Sequence, residues 1–314
     1  MTKPINKWIL IRTLVLAAVG SFLLAATNAG GDRTEIETKE AHRIHQRAVD
    51  GLANGNLPGN LLDLKFSYGR RKSFRGSAAD RTVLISQQAV YGVVGELKKK
   101  VAIPSEIRVA FKECGGPDSY YDDESHEINI CYELIEAYSD LFSQTHLAKT
   151  ERDEATKGAV VAMFLHEVAH GLIDYWDLSI TGREEDAADQ FSTLMLINGL
   201  PDGEEMALDG ARSFKSLATL EKGLEQDYSD PHSLDGQRFY NTICLIYGHR
   251  PERYEYLIRN GSLPTERAIE CVDDYARLNR SWQTLLAPYL VRPNLLPKNS
   301  DKSPSTSKSF GAYQ

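Results

Sequence analysis

Past its first 29 residues the sequence has no apolar run long enough to span a membrane, so no stable membrane insertion is expected beyond that segment. Positive charge is also short: 36 Lys and Arg stand against 44 Asp and Glu, a net charge of −8. An acidic chain repels nucleic acid and anionic lipid headgroups, which removes both as expected partners. The four cysteines include no CxxC pair, which argues against a cysteine-built zinc site. Strand signals are few, and there is no internal repeat. What is there is a chain of 314 residues, 42% hydrophobic, able to bury a sizeable core.

The N-terminus sets Lys3, Lys7 and Arg12 ahead of the apolar run 13–26 and the small-residue exit Thr27-Asn28-Ala29. That order marks a secretory signal peptide over residues 1–29, and hence a periplasmic or secreted protein. The alternative is an uncleaved anchor that tethers the chain; no cysteine at the exit offers a lipid attachment. Cleavage removes three basic residues and leaves 33 basic against 44 acidic, a net charge of about −11. Cys114, Cys131, Cys244 and Cys271 all lie in the exported part. An even number in an oxidising compartment favours two disulfides, with three pairings open. Cys114–Cys131 and Cys244–Cys271 are preferred because each closes a short local loop.

Residues 30–60 are polar, with one helical segment and then the breaker-rich run NGNLPGN, and read as an N-terminal helix and linker. His42 and His45 there lack a framing ligand and belong to a solvated helix face. Helical spacing covers Leu84 to Lys100, a strand is expected over Ile107 to Phe111, and Ile128 and Ile130 alternate in a second strand from His126 to Tyr132. His126 reads as a surface histidine on an edge strand. A long buried helix follows from Thr150 to Tyr175, with Thr150 and Asp153 resembling a capping box. Further helices are expected up to Gly199, over 203–228, before Arg250, around 251–260 and over 264–278, ahead of the segment 282–290. Residues 293–314, rich in Pro, Ser and Lys, read as a disordered tail.

The chemistry sits in FLHEVAHG, residues 164–171, and GREEDAADQ, residues 182–190. His166 and His170 are four apart, so a helix projects both imidazoles from one face about a turn apart. Two such imidazoles can grip one Zn²⁺ while Glu167 serves as general base toward its water. HExxH alone arises by chance in about one chain of this size in a hundred, so its setting matters. The setting is an apolar helix, where two histidines and a glutamate are costly to bury without compensation. A metal compensates. A catalytic zinc wants a third protein ligand, and Glu185 is preferred over Glu184 because Asp189, one turn on, can bond a ligand histidine. For Glu184 a capping or solvated role is expected.

HEVAH followed by EDAAD resembles the gluzincin metallopeptidases, whose third ligand is a glutamate in an ExxxD arrangement on a second helix. The set HEVAHGLID, GREEDAADQF, ECGGPDSYYDDESHEINICYEL and DPHSLDGQRFYN resembles an exported bacterial metallopeptidase family, domain of unknown function 4344, over roughly residues 60–290. The resemblance implies an α+β, zincin-like domain over 61–292, with a small sheet beside the HExxH helix and a mostly helical C-terminal half. It implies Zn²⁺ held by His166, His170 and Glu185, with Asp189 behind them, and peptide or protein substrates. His232 and Arg238 have the six-residue spacing of a pair in the prenyl-protease branch of gluzincins and are expected to stabilise an oxyanion. The strand around Glu127 to Tyr132 is expected to pair with an extended substrate. Two other functions stay open: a non-catalytic exported zinc- or peptide-binding protein, and a zinc amidase acting on cell-wall material.

Overall fold

The computed structural model of the protein describes residues 65–68 and 77–291. The expected signal peptide 1–29, the helix and linker over 30–60 and the tail 293–314 lie outside the described residues. The described chain runs β1 (Lys65–Tyr68), α1 (Ser77–Leu97), β2 (Arg108–Lys112), β3 (Ser119–Asp122), β4 (Glu127–Cys131), α2 (Tyr132–Ser143) and α3 (Lys149–Trp176). It continues through α4 (Glu184–Gly199), α5 (Gly203–Leu220), α6 (Asp235–His249), the short α7 (Pro251–Tyr254) and α8 (Tyr256–Arg259), and α9 (Thr265–Leu286). The fold is α+β: one four-stranded sheet, then helices.

Sheet order is β1-β2-β4-β3, with β1, β2 and β4 parallel and β3 antiparallel to β4. Val109, Ala110 and Phe111 on β2 and Ile128, Asn129, Ile130 and Cys131 on β4 are buried, as parallel strands covered on both faces require. β4 is therefore an inner strand. The expectation that residues 127–132 offer a free edge to substrate is corrected: β2 and β3 already occupy both sides of β4. β1 and β3 are the edge strands, and β3 is the one beside β4.

The Cys131 N–H donates to the Asp118 carbonyl at 3.1 Å, which fixes the alternation along β3. Bonded pairs alternate in an antiparallel ladder, so Tyr120 and Asp122 bond inward to β4. Ser119 and Tyr121 turn their peptide groups to the open edge. Their side chains meet α3 instead: a Cβ on Gly171 would sit 3.2 Å from the Tyr121 ring and 3.2 Å from Ile107 Cδ1. Glycine at 171 lets the strand lie this close to the helix.

α3 is the central helix and packs against β3, β4, α1, α2, α4 and α5. Sixteen of its residues are buried, from Ala155 to Trp176, which explains its near-continuous apolar sequence. Its start differs from expectation. Ala148 is the N-cap, and the Glu151 carboxylate accepts its N–H at 2.7 Å; Asp153 instead accepts from Thr82 Oγ1 at 3.2 Å. Alanine has no oxygen to return the bond, so only half of a capping box forms.

Both preferred disulfides are present, Cys114–Cys131 and Cys244–Cys271, with Cα separations of 5.5 and 5.0 Å. The first ties the loop before β3 to β4; the second ties α6 to α9. Two helix boundaries shift. Glu221 caps α5 and Gly223 turns at φ 87°, so residues 221–228 join the following turn in a loop over 221–234 rather than continuing the helix. The helix expected over 264–278 runs on to Leu286 as α9, because Asn279, Arg280 and Ser281 contain no breaker; Pro288 lies just past its end.

Candidate metal centre

His166 and His170 stand one turn apart on the buried face of α3, and α4 crosses beside them with Glu185 in its first turn. Two nitrogens meet one oxygen here. His166 Nε2 lies 3.1 Å from Glu185 Oε2, His170 Nε2 3.4 Å from it, and the two imidazole nitrogens are 3.1 Å apart. Tetrahedral ligands at the zinc–nitrogen distance of 2.0–2.1 Å have edges of about 3.3 Å, so the spacing fits such an ion. Imidazole and carboxylate donors suit zinc chemically as well.

Each histidine is held from behind. Asp189 Oδ1 sits 2.9 Å from His166 Nδ1, and Glu184 Oε1 sits 2.7 Å from His170 Nδ1. A proton on each Nδ1 then donates to a carboxylate and leaves the Nε2 lone pairs facing the centre. Glu184, expected to cap the helix or stay solvated, lies exposed in the first turn of α4 and makes this bond as well, a partner that i, i+4 spacing along one helix does not reveal. Burial opposes charge on His166, but the bonds to Asp189 and Glu185 outweigh it and raise its pKa to about 9. Burial opposes the Glu185 charge too, yet bonds from His166, His170 and His232 hold its carboxyl well below the usual range.

Arg238 does not face this cluster. Its Nε and Nη2 donate to Asp189 Oδ2 and Oδ1, each at 2.7 Å, and its guanidinium lies 4.1 Å from the Phe214 ring centre. It is buried behind Asp189, so the sequence-expected oxyanion partner stands on the far side of the histidine support. His232 does reach the site. Its Nε2 lies 2.9 Å from Glu185 Oε2, and its Nδ1 lies 2.9 Å from Asp230 Oδ1. The candidate ligand atoms of His166, Glu185 and His232 all fall within 4.8 Å of one another.

Glu167 is buried at 4% exposure, and Ser119 Oγ donates to its Oε1 at 2.9 Å. Beside it, burial and the Glu167 charge push the Asp118 carboxyl up to about 6, although the Ser119 N–H bonds it. Ser119, Asp118 and Asp230 were missed from sequence. The alternation of Ser119 and Tyr121 was a faint signal for the first, and the Asx-type spacing of Asp230 to His232 for the last. His126, at the β3–β4 turn with φ 51°, bonds the Tyr121 hydroxyl at 2.7 Å and lies away from the cluster.

Among known proteins, the "Putative metallopeptidase" family, domain of unknown function 4344, matches residues 72–286. No curated protein and no solved structure matches the chain.

Proposed function

The chain belongs to that metallopeptidase family, and from this premise we propose that it is an exported, zinc-dependent peptidase of the zincin, gluzincin-like kind. The observation that carries the proposal is the convergence of His166, His170 and Glu185 within 3.4 Å of one another, next to the buried Glu167. A bound zinc ion supplies Lewis acidity there, lowering the pKa of water and polarising a carbonyl.

The chain's own groups do the rest. Glu167 Oε1, steadied by Ser119, takes the proton of the attacking water and later gives it to the leaving amine. Asp189 and Glu184 fix the two histidine tautomers. Arg238 is a positioning residue that locks Asp189 with two bonds. His232 is the group nearest to the developing oxyanion, with Asp230 setting its ring. The open edge of β3 aligns an extended peptide in front of Glu167, which corrects the strand first expected to do so. Two disulfides fit an oxidising compartment.

Glu167→Gln is the direct test. The variant should keep its zinc and lose peptide hydrolysis by at least about a hundredfold. Retained activity would remove Glu167 from the chemistry. The second function, a non-catalytic zinc-binding protein, has one observation in its favour: His232 brings a fourth donor to the cluster, as structural sites have. Wild-type protein that holds zinc yet cuts nothing in a peptide library would favour it.

A further inference from the structure

The cluster contains one ligand more than a zinc peptidase needs. Each vertex of a tetrahedron has three neighbours at one edge length, and Glu185 Oε2 has three imidazole nitrogens around it. His166, His170 and His232 Nε2 lie at 3.1, 3.4 and 2.9 Å, against an edge of about 3.3 Å for zinc. A site with one position open to substrate would give that oxygen two such neighbours.

The three imidazoles are also built alike. His166 has Asp189 at its Nδ1, His170 has Glu184, and His232 has Asp230, at 2.9, 2.7 and 2.9 Å. A carboxylate behind Nδ1 is the usual support of a metal-ligating histidine. The His166 and His232 rings lie nearly parallel with centroids 6.0 Å apart.

The supports differ in firmness. His166 and His170 belong to a buried helix, whereas His232 sits in the loop 221–234, most of whose side chains are exposed. The bonds within the loop are local, Asp227 with Ser229 and Asp230 with His232, and Ser233 Oγ ties it to Asp186 Oδ1 at 2.6 Å. Exposed segments with few contacts open at low cost.

From this geometry we propose that His232 is a fourth, displaceable zinc ligand that closes the resting site. Substrate enters when the loop carries His232 off the ion, and the ring, still held by Asp230, then faces the reacting carbonyl. The proposal rests on the zinc-peptidase function above. It gives the loop a gating role and gives the resting ion a donor from that loop besides those of α3 and α4.

Zinc X-ray absorption on the purified, zinc-loaded chain counts its imidazoles. Wild type should show three with one carboxylate. His232→Ala should show two, with an added oxygen donor, and its zinc affinity by chelator competition should fall by at least about tenfold. A small peptide hydroxamate added to wild type should lower the count from three to two. Two imidazoles in wild type, or an unchanged spectrum in His232→Ala, overturns the fourth ligand while leaving the peptidase function standing. Three imidazoles that persist with hydroxamate bound overturn displacement. A chain that takes up no zinc overturns both proposals together.

Discussion

Individual side chains hold the site by carboxylates placed behind imidazoles, and that arrangement has measurable consequences. Glu184→Gln removes the charge behind His170 Nδ1, and zinc affinity should fall about tenfold to a hundredfold in chelator competition. Arg238→Met should produce a loss of similar size through Asp189, although Arg238 touches neither histidine. Asp209 makes a separate prediction. It is 7% exposed, and burial, only partly offset by Arg212, raises its carboxyl to about 6. The folded state then keeps a proton that the unfolded state loses above about pH 4, so stability falls as pH rises from about 4 to about 6. Asp209→Asn escapes that loss and should gain on wild type by up to roughly 3 kcal/mol above pH 6, with little gain at pH 4, in denaturant melts. His166, Glu167 and His170 were legible in the sequence because one helix turn sets their relation. Glu184 and Ser119 were not, since their partners are fixed only when separate elements meet, while Asp230 left only the short spacing to His232.

Among elements, the approach of β3 to α3 decides where a substrate can lie. Gly171→Ala puts a methyl 3.2 Å from both Ile107 Cδ1 and the Tyr121 ring. The strand has to give by a few tenths of an ångström, which should cost about 1–2 kcal/mol of stability. Ser119 moves with it, so kcat should fall more than zinc content. Unchanged kcat would detach β3 from the chemistry. The long helices were readable from apolar spacing, above all α3, whose buried face runs through Phe164, Leu165 and Val168. β1 and β3 were missed because four residues such as SYYD, with partly exposed side chains, carry too little alternation. α2 went unread because it follows β4 with no intervening breaker. The order of the sheet depends on pairing between distant segments, so sequence alone could name strand 127–132 but not its inner position.

For the whole molecule, one continuous core runs from Val83 to Tyr289, and the two disulfides close 17- and 27-residue separations across it. Removing their constraint from the unfolded chain is worth about 3 and about 3.5 kcal/mol by loop entropy. Replacing Cys244 and Cys271 by alanine should therefore lower the melting temperature by several degrees. It should also loosen α6, which carries Arg238, so zinc affinity should fall with stability. No described helix is long and apolar enough to cross a membrane. On the proposed function, this fold assembles a metal site from α3 and α4. Metal analysis of the purified chain beside Glu185→Ala and Glu184→Ala tests it most directly. About one zinc per wild-type chain, lost with Glu185→Ala and only weakened with Glu184→Ala, is the predicted result. Wild type that takes up no zinc, even after reconstitution, would contradict it.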